Sequence, residues 1–293
     1  MRLLLTAIIA SILILSSCSP RTVAVEPTVT ERLTAAKERF NNKRYYDARQ
    51  AFESLRFDYP GDEVMGEVQY YIGLCHYHMK DYMMAEHEIR YFQRDFGETH
   101  ELYDDAAYWL CKSMFMQALP AKLDQTITLK AVDECTIFLE QLKNSEYAGE
   151  VVNIRKDCLE RLAEKEFLAG RQYRRMGYAS SAIHYFRTIE QEYPTSRWVA
   201  AVRFEWAYSL YDQKNYSDAL AMADSCSSVL KSIEESSSAA FVRTKPYSVP
   251  YKLVHLFGLV PYEKRSELGI YVDDLKKNVA NLVKKIKKKQ AKA

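Results

Sequence analysis

Glycine is scarce in this sequence, nine in 293 residues, and none of the nine falls in a phosphate-cradling loop or a nucleophile elbow. That excludes the usual nucleotide-binding and serine-hydrolase layouts. Cysteine is scarce too: six occur, no two in a C-x-x-C spacing, so neither a zinc site nor a disulfide framework is expected. Histidine adds no metal centre, because His76 and His78 are two residues apart and point to different faces of a helix, while His87 reads as a surface histidine. Charge of one sign is lacking as well. Lysine and arginine number 41 against 39 acids, so there is no basic field for nucleic acid. No catalytic residue, metal, cofactor or small-molecule substrate is expected. The acid pairs Asp104-Asp105 and Asp273-Asp274 suit helix starts, where negative charge is favourable.

What is present begins at the amino end. Met1 and Arg2 precede an apolar stretch from Leu3 to Leu15, too short to cross a bilayer as a helix and followed by small residues, which is the pattern of a secretory signal. Leu15-Ser16-Ser17-Cys18 resembles the bacterial lipobox, which implies a signal peptide over 1–17, acylation of Cys18 and a lipidated tether over 18–29. One acyl chain binds a membrane marginally and several hold it firmly. Ser19 stands where an inner-membrane retention signal would place aspartate, and no acidic cluster follows, so the periplasmic face of the outer membrane is expected.

The body of the chain repeats. "NKRYYDARQAFESLRFDYP" (42–60), "MGYASSAIHYFRTIEQEYP" (176–194) and "QKNYSDALAMADSCSSVL" (213–230) share one template, an alanine preceded by an aromatic or turn cluster and followed four residues later by a position for a bulky residue. The anchor alanines are Ala48, Ala85, Ala131, Ala182 and Ala219. The pattern resembles the tetratricopeptide repeat, two antiparallel helices that cross closely where side chains are short and stop at a proline. It predicts an all-α solenoid of about five helix pairs over 30–235. Helix A of the third copy is expected over 104–115 and helix B over 129–147, split by a loop around Pro120. Cys75, Cys111 and Cys226 take small-residue positions of the template, so they are read as packing residues.

A lipobox ahead of such an array, and the block from Tyr147 to Ser196, resemble the outer-membrane β-barrel assembly lipoproteins, the BamD (YfiO) family. Arg161, Leu162, Ala163, Lys165, Glu166, Phe167, Tyr173, Gly177, Ala182, Tyr193 and Pro194 carry that likeness, which extends over about residues 18–230. It implies a lipid-anchored scaffold whose partners are unfolded outer-membrane proteins and the assembly pore protein. Two other classes stay open: a periplasmic scaffold of another envelope complex, and a glycan-binding nutrient-uptake lipoprotein. Against the last stands the shortage of tryptophan, three in all.

Repeat register places Phe40, Tyr70, Tyr77, Tyr108 and Phe115 along the inner wall, a peptide-binding groove for an extended segment with an aromatic end. The same rings would equally serve to pack helix A on helix B. Arg171, Arg174 and Arg175 occupy the matching positions of the fourth repeat and are candidate docking residues for an acidic partner, the contact that the resemblance assigns to the carboxy-terminal half. Pro246, Pro250 and Pro261 mark 236–262 as an irregular connector. Residues 263–293 are expected to form a basic amphipathic helix that caps the last repeat, since 272–293 hold eight lysines against two aspartates.

Overall fold

A computed structural model of the protein describes residues 27–235 and 272–292. The signal peptide, Cys18 and most of its tether, the 236–262 connector and residues 263–271 lie outside the described residues. Eleven helices and no strand occur among the described residues. They run as pairs: α1 (Val29–Asn41) with α2 (Tyr45–Asp58), α3 (Met65–His78) with α4 (Tyr82–Phe96), α5 (Tyr103–Gln117) with α6 (Thr126–Gln141), α7 (Ala148–Arg175) with α8 (Ala179–Glu192), and α9 (Val199–Asp212) with α10 (Tyr216–Glu235). α11 (Val272–Gln290) follows. The fold is an all-α solenoid in which each helix packs chiefly on its neighbours in the chain.

One contact recurs in every pair and explains the template. The five anchor alanines are fully buried, and so is the residue four positions on: Phe52, Ile89, Cys135, Phe186 and Ala223. Each of these shares its buried core with a small residue of the preceding first helix, respectively Ala36, Gly73, Cys111, Gly170 and Ala207. A Cβ on Gly73 would stand 2.7 Å from Ile89 Cγ1, and one on Gly170 2.6 Å from Phe186 Cε1. Small faces large across the crossings of pairs one, two and four, and small faces small in pairs three and five, where the helices meet through Cys111 with Cys135 and Ala207 with Ala223.

The turns are equally regular. Lys43, Lys80, Gly177 and Lys214 take positive φ between the helices of pairs one, two, four and five. In each case the next residue's N–H donates to the carbonyl five back, Arg44 to Arg39, Asp81 to His76, Tyr178 to Tyr173 and Asn215 to Leu210, closing the helix by a left-handed cap. Between pairs, a doubled turn repeats at Tyr59–Asp62–Met65, Gly97–His100–Tyr103, Leu142–Ser145–Ala148 and Tyr193–Ser196–Val199. It ends α6 at Gln141, where the sequence suggested that helix B of the third pair continues to 147.

First helices also pack on successive first helices, α3 on α5, α5 on α7, α7 on α9 and α9 on α11. Second helices stand farther apart and are bridged by long side chains, Arg56 to Glu88 at 2.9 Å and Arg90 to Glu134 at 3.0 Å. The closer layer is the inside of the curve, so the first helices form the inner wall.

Two features depart from a plain repeat. α7 is 28 residues long, rich in alanine, leucine, glutamate, lysine and arginine, and without proline. Its first half buries Val151, Ile154 and Cys158 in the core of pairs two and three. Its second half buries Ala163 and Phe167 in the core of pairs four and five, so one rod belongs to two cores. The other departure is the long loop of pair three. Gln125 donates to the carbonyls of Leu119, Pro120 and Leu123, and Arg161 of α7 donates at 2.6 Å to that of Ala118.

Beside Arg161 lies Glu164, 6% exposed. Burial holds its carboxyl above the ordinary value, against the opposing pull of Arg197, Arg161 and Lys122. A raised folded pKa means that the native state gains stability as pH falls from neutrality through that pKa, the full gain being reached below the ordinary carboxylate pKa. Glu164→Gln is therefore expected to raise the melting temperature at pH 7 and to lose that advantage in acid. Parallel melts of both proteins from pH 7 to pH 4 check this; an advantage that grows in acid would contradict it.

α11 lays Leu275, Val279, Leu282 and Ile286 into the core formed by α9 and α10, covering the apolar face that a last repeat would otherwise expose. No described helix is long and apolar enough to cross a membrane.

Candidate functional site

On the inner wall of the first three pairs, rings from three first helices meet edge to face. Phe40 of α1 lies 5.1 Å from Tyr71 and 5.5 Å from His78 of α3. His78 stacks on Tyr45 at 4.6 Å and meets Trp109 of α5 at 5.7 Å, while Tyr77 lies 4.7 Å from Trp109. The result is a ribbon of half-buried rings, Tyr45, Phe40, Tyr71, His78, Tyr77 and Trp109. Two cations border it: Lys37, paired with Glu67 and 5.6 Å from the Tyr71 ring, and Lys112, 4.8 Å from the Trp109 ring. Burial, and then the Lys112 charge, hold His78 below the usual imidazole value, so it is neutral at pH 7. Burial pushes the Tyr77 hydroxyl up to about 12. The ribbon is thus uncharged between the Lys37–Glu67 pair on one side and Lys112 on the other, with tyrosine hydroxyls as its hydrogen-bonding edge.

The five expected groove residues separate. Phe40 and Tyr77 belong to the ribbon. Tyr70 and Tyr108, at 5% and 4% exposure, are core residues: Tyr108 stacks on Tyr147 at 4.5 Å and donates to Glu150, and Tyr70 packs near Phe92. Phe115 lies away from the ribbon, beneath the Arg161 guanidinium at 5.2 Å. The residues that the register missed, Tyr71, His78 and Trp109, each follow a groove residue that it named. The wall is turned by one residue, about 100° around the helix axis. Tyr45 opens α2, outside any first-helix register, and its only sequence signal is the aromatic pair Tyr45-Tyr46 ahead of Ala48.

The arginines of the fourth pair separate as well. Arg174 is used inside the fold, with Glu205 at 2.5 Å, Asp212 at 3.7 Å and the Tyr208 ring at 4.6 Å, because α9 brings those side chains opposite it. Arg171 leans on Phe167 at 5.8 Å and is half-buried, and Arg175 is exposed. Among the described residues no group of histidine, cysteine, aspartate or glutamate is arranged to hold a metal. His76 is buried, with Nδ1 3.4 Å from Asp81, and does not share a site with His78. The five described cysteines are buried and free, and burial holds Cys75 at about 12 and Cys226 at about 11, far from the thiolate that reacts or binds metal.

Among solved structures the chain is similar to the TPR2AB domain of yeast Sti1 in its complex with pHSP90. The two share 10% identity over 86% of this chain and 98% of that one, with a TM-score of 0.42. It is also similar to the C-terminal part of a TPR repeat-containing protein from Cytophaga hutchinsonii, at 12% identity over 85% and 95% of the two chains, TM-score 0.33. The TPR domain of P58(IPK) shares 10% identity over 88% and 66%, TM-score 0.39. No curated protein matches. The YfiO family, described as outer membrane lipoprotein, matches over residues 26–184 and again over 169–244, together well over half of the 293. With its five helix pairs inside that span, the chain belongs to the YfiO outer membrane lipoprotein family.

Proposed function

We propose that the protein is a lipid-anchored scaffold and substrate receptor of the outer-membrane β-barrel assembly complex. Its inner wall holds unfolded barrel proteins, its second half docks the assembly pore protein, and acylated Cys18 tethers it to the periplasmic face of the outer membrane. The observation that carries this reading is the ring ribbon from Tyr45 to Trp109. Its neighbouring rings lie about 5 Å apart, in direct contact with one another, so they form one continuous apolar surface with hydroxyl edges. An aromatic side chain of an extended segment can lie against that surface. The membership in an outer membrane lipoprotein family supports the location, and Arg175 with Arg171 offers the second half a cationic edge.

The test is binding of a peptide that copies the terminal strand of an outer-membrane barrel. Tyr77→Ala and Trp109→Ala are each expected to weaken it about tenfold, the effect of one well-packed ring. Unchanged affinity for both variants removes the receptor role. Purification of the acylated protein from detergent-solubilised envelope separates the scaffold readings: the pore protein is expected to accompany it, and recovery of cell-wall enzymes or a transporter in its place assigns another complex.

A further inference from the structure

We infer that the outward face of α11 is an electrostatic docking surface for anionic lipid headgroups, giving the array a second membrane contact at the end opposite its tether. The apolar face of the helix is already spent on α9 and α10 through Leu275, Val279, Leu282 and Ile286. The helix therefore has no hydrophobic stripe left to insert, and what it presents outward is a preformed charged surface. Lys277, Lys284 and Lys288 fall at intervals of seven and four residues, on one line opposite the buried face, and all three are exposed. None has an ion-pair partner among the described residues.

The stretch from Lys284 to Lys292 holds six lysines and no acid. Some exposed cations on the array are answered locally, as Arg44 is by Asp47 and Arg90 by Glu86. The end of α11 has no acid within the stretch to do the same. Asp274 sits in the first turn, where it complements the helix dipole, and the last two turns hold no acid.

The residue type selects the partner. Protein interfaces are depleted in lysine and centre on buried aromatic or arginine anchors, and the outward face of α11 has neither. A headgroup layer asks only for charge density, which flexible lysines supply. This inference does not depend on acylation at Cys18 or on the ring ribbon, so it can fail while the receptor reading stands.

The mature chain, residues 18–293, made without its lipid, is mixed with vesicles of phosphatidylcholine and phosphatidylglycerol and sedimented. Binding is expected to the mixed vesicles, not to pure phosphatidylcholine, and to disappear in high salt. Each lysine near an anionic surface contributes about fivefold, so the triple variant Lys277→Gln, Lys284→Gln, Lys288→Gln should bind about a hundredfold more weakly. Glutamine keeps helix propensity, and an unchanged melting temperature confirms that the cap stays docked. Equal binding to both vesicle types, a flat salt response of the unaltered chain, or capture by polyglutamate in place of anionic vesicles each overturns the inference.

Discussion

Phe186→Ala is expected to destabilise the array by about 3–5 kcal/mol, the usual cost of deleting a fully buried ring. The ring closes the crossing of α7 and α8, its edge against the Cα of Gly170 and its face tilted to Phe167 at 6.5 Å. A second substitution makes the test specific. In an open helix, replacing glycine with alanine adds up to about 1 kcal/mol of stability. At Gly170 the sign reverses, because three ring atoms would stand within 3.1 Å of the new Cβ and the fully buried ring has nowhere to retreat. Gly170→Ala is expected to cost about 1–3 kcal/mol. Combined with Phe186→Ala the new methyl enters the space that the ring has left, so the double variant should cost less than the two single costs summed. Urea unfolding of the four proteins measures this, and strict additivity would mean that the two positions do not face each other.

Arg161→Ala is the second large effect, expected at about 3–5 kcal/mol. The guanidinium is 3% exposed; it satisfies the Ala118 carbonyl, lies 5.2 Å from the Phe115 ring and helps to balance the buried Glu164. Its loss leaves the half-buried Ala118 carbonyl without its donor and the buried Glu164 carboxyl with one cation fewer. The damage should be local as well as global. Limited proteolysis is expected to cut between residues 118 and 125 in the variant at protease levels that leave the unaltered protein intact, since Arg161 joins that loop to α7. A stability loss without new cleavage there would show that the arginine serves the core and not the loop.

The fold was legible because the signal was steric and repeated. A small residue of the first helix meets a fully buried residue of the second in each pair, large in pairs one, two and four and small in pairs three and five, and the anchor alanines could be found without knowing any angle. Even the eight extra residues of pair three leave the rule intact, since Cys111 and Cys135 simply replace the usual partners at a longer interval. The wall was less legible, because register fixes which side of a helix faces inward only to within one residue. Tyr70 and Tyr71 are neighbours of the same type, yet one is core and the other belongs to the ribbon. Arg174 misled for another reason: its partners Glu205 and Asp212 are 31 and 38 positions away, on a helix whose approach no local pattern encodes.

The length of α7 carries a mechanical consequence. A rod of 28 residues measures about 42 Å, and because its two ends are embedded in different cores there is no joint at which the ring-bearing half can swivel against the half that holds α11. A tilt of about 5° imposed by cargo at one end would displace the other by about 4 Å, as an oar moves its blade when the handle is pulled. Loading at one end would thus be felt as motion at the other, with no refolding in between.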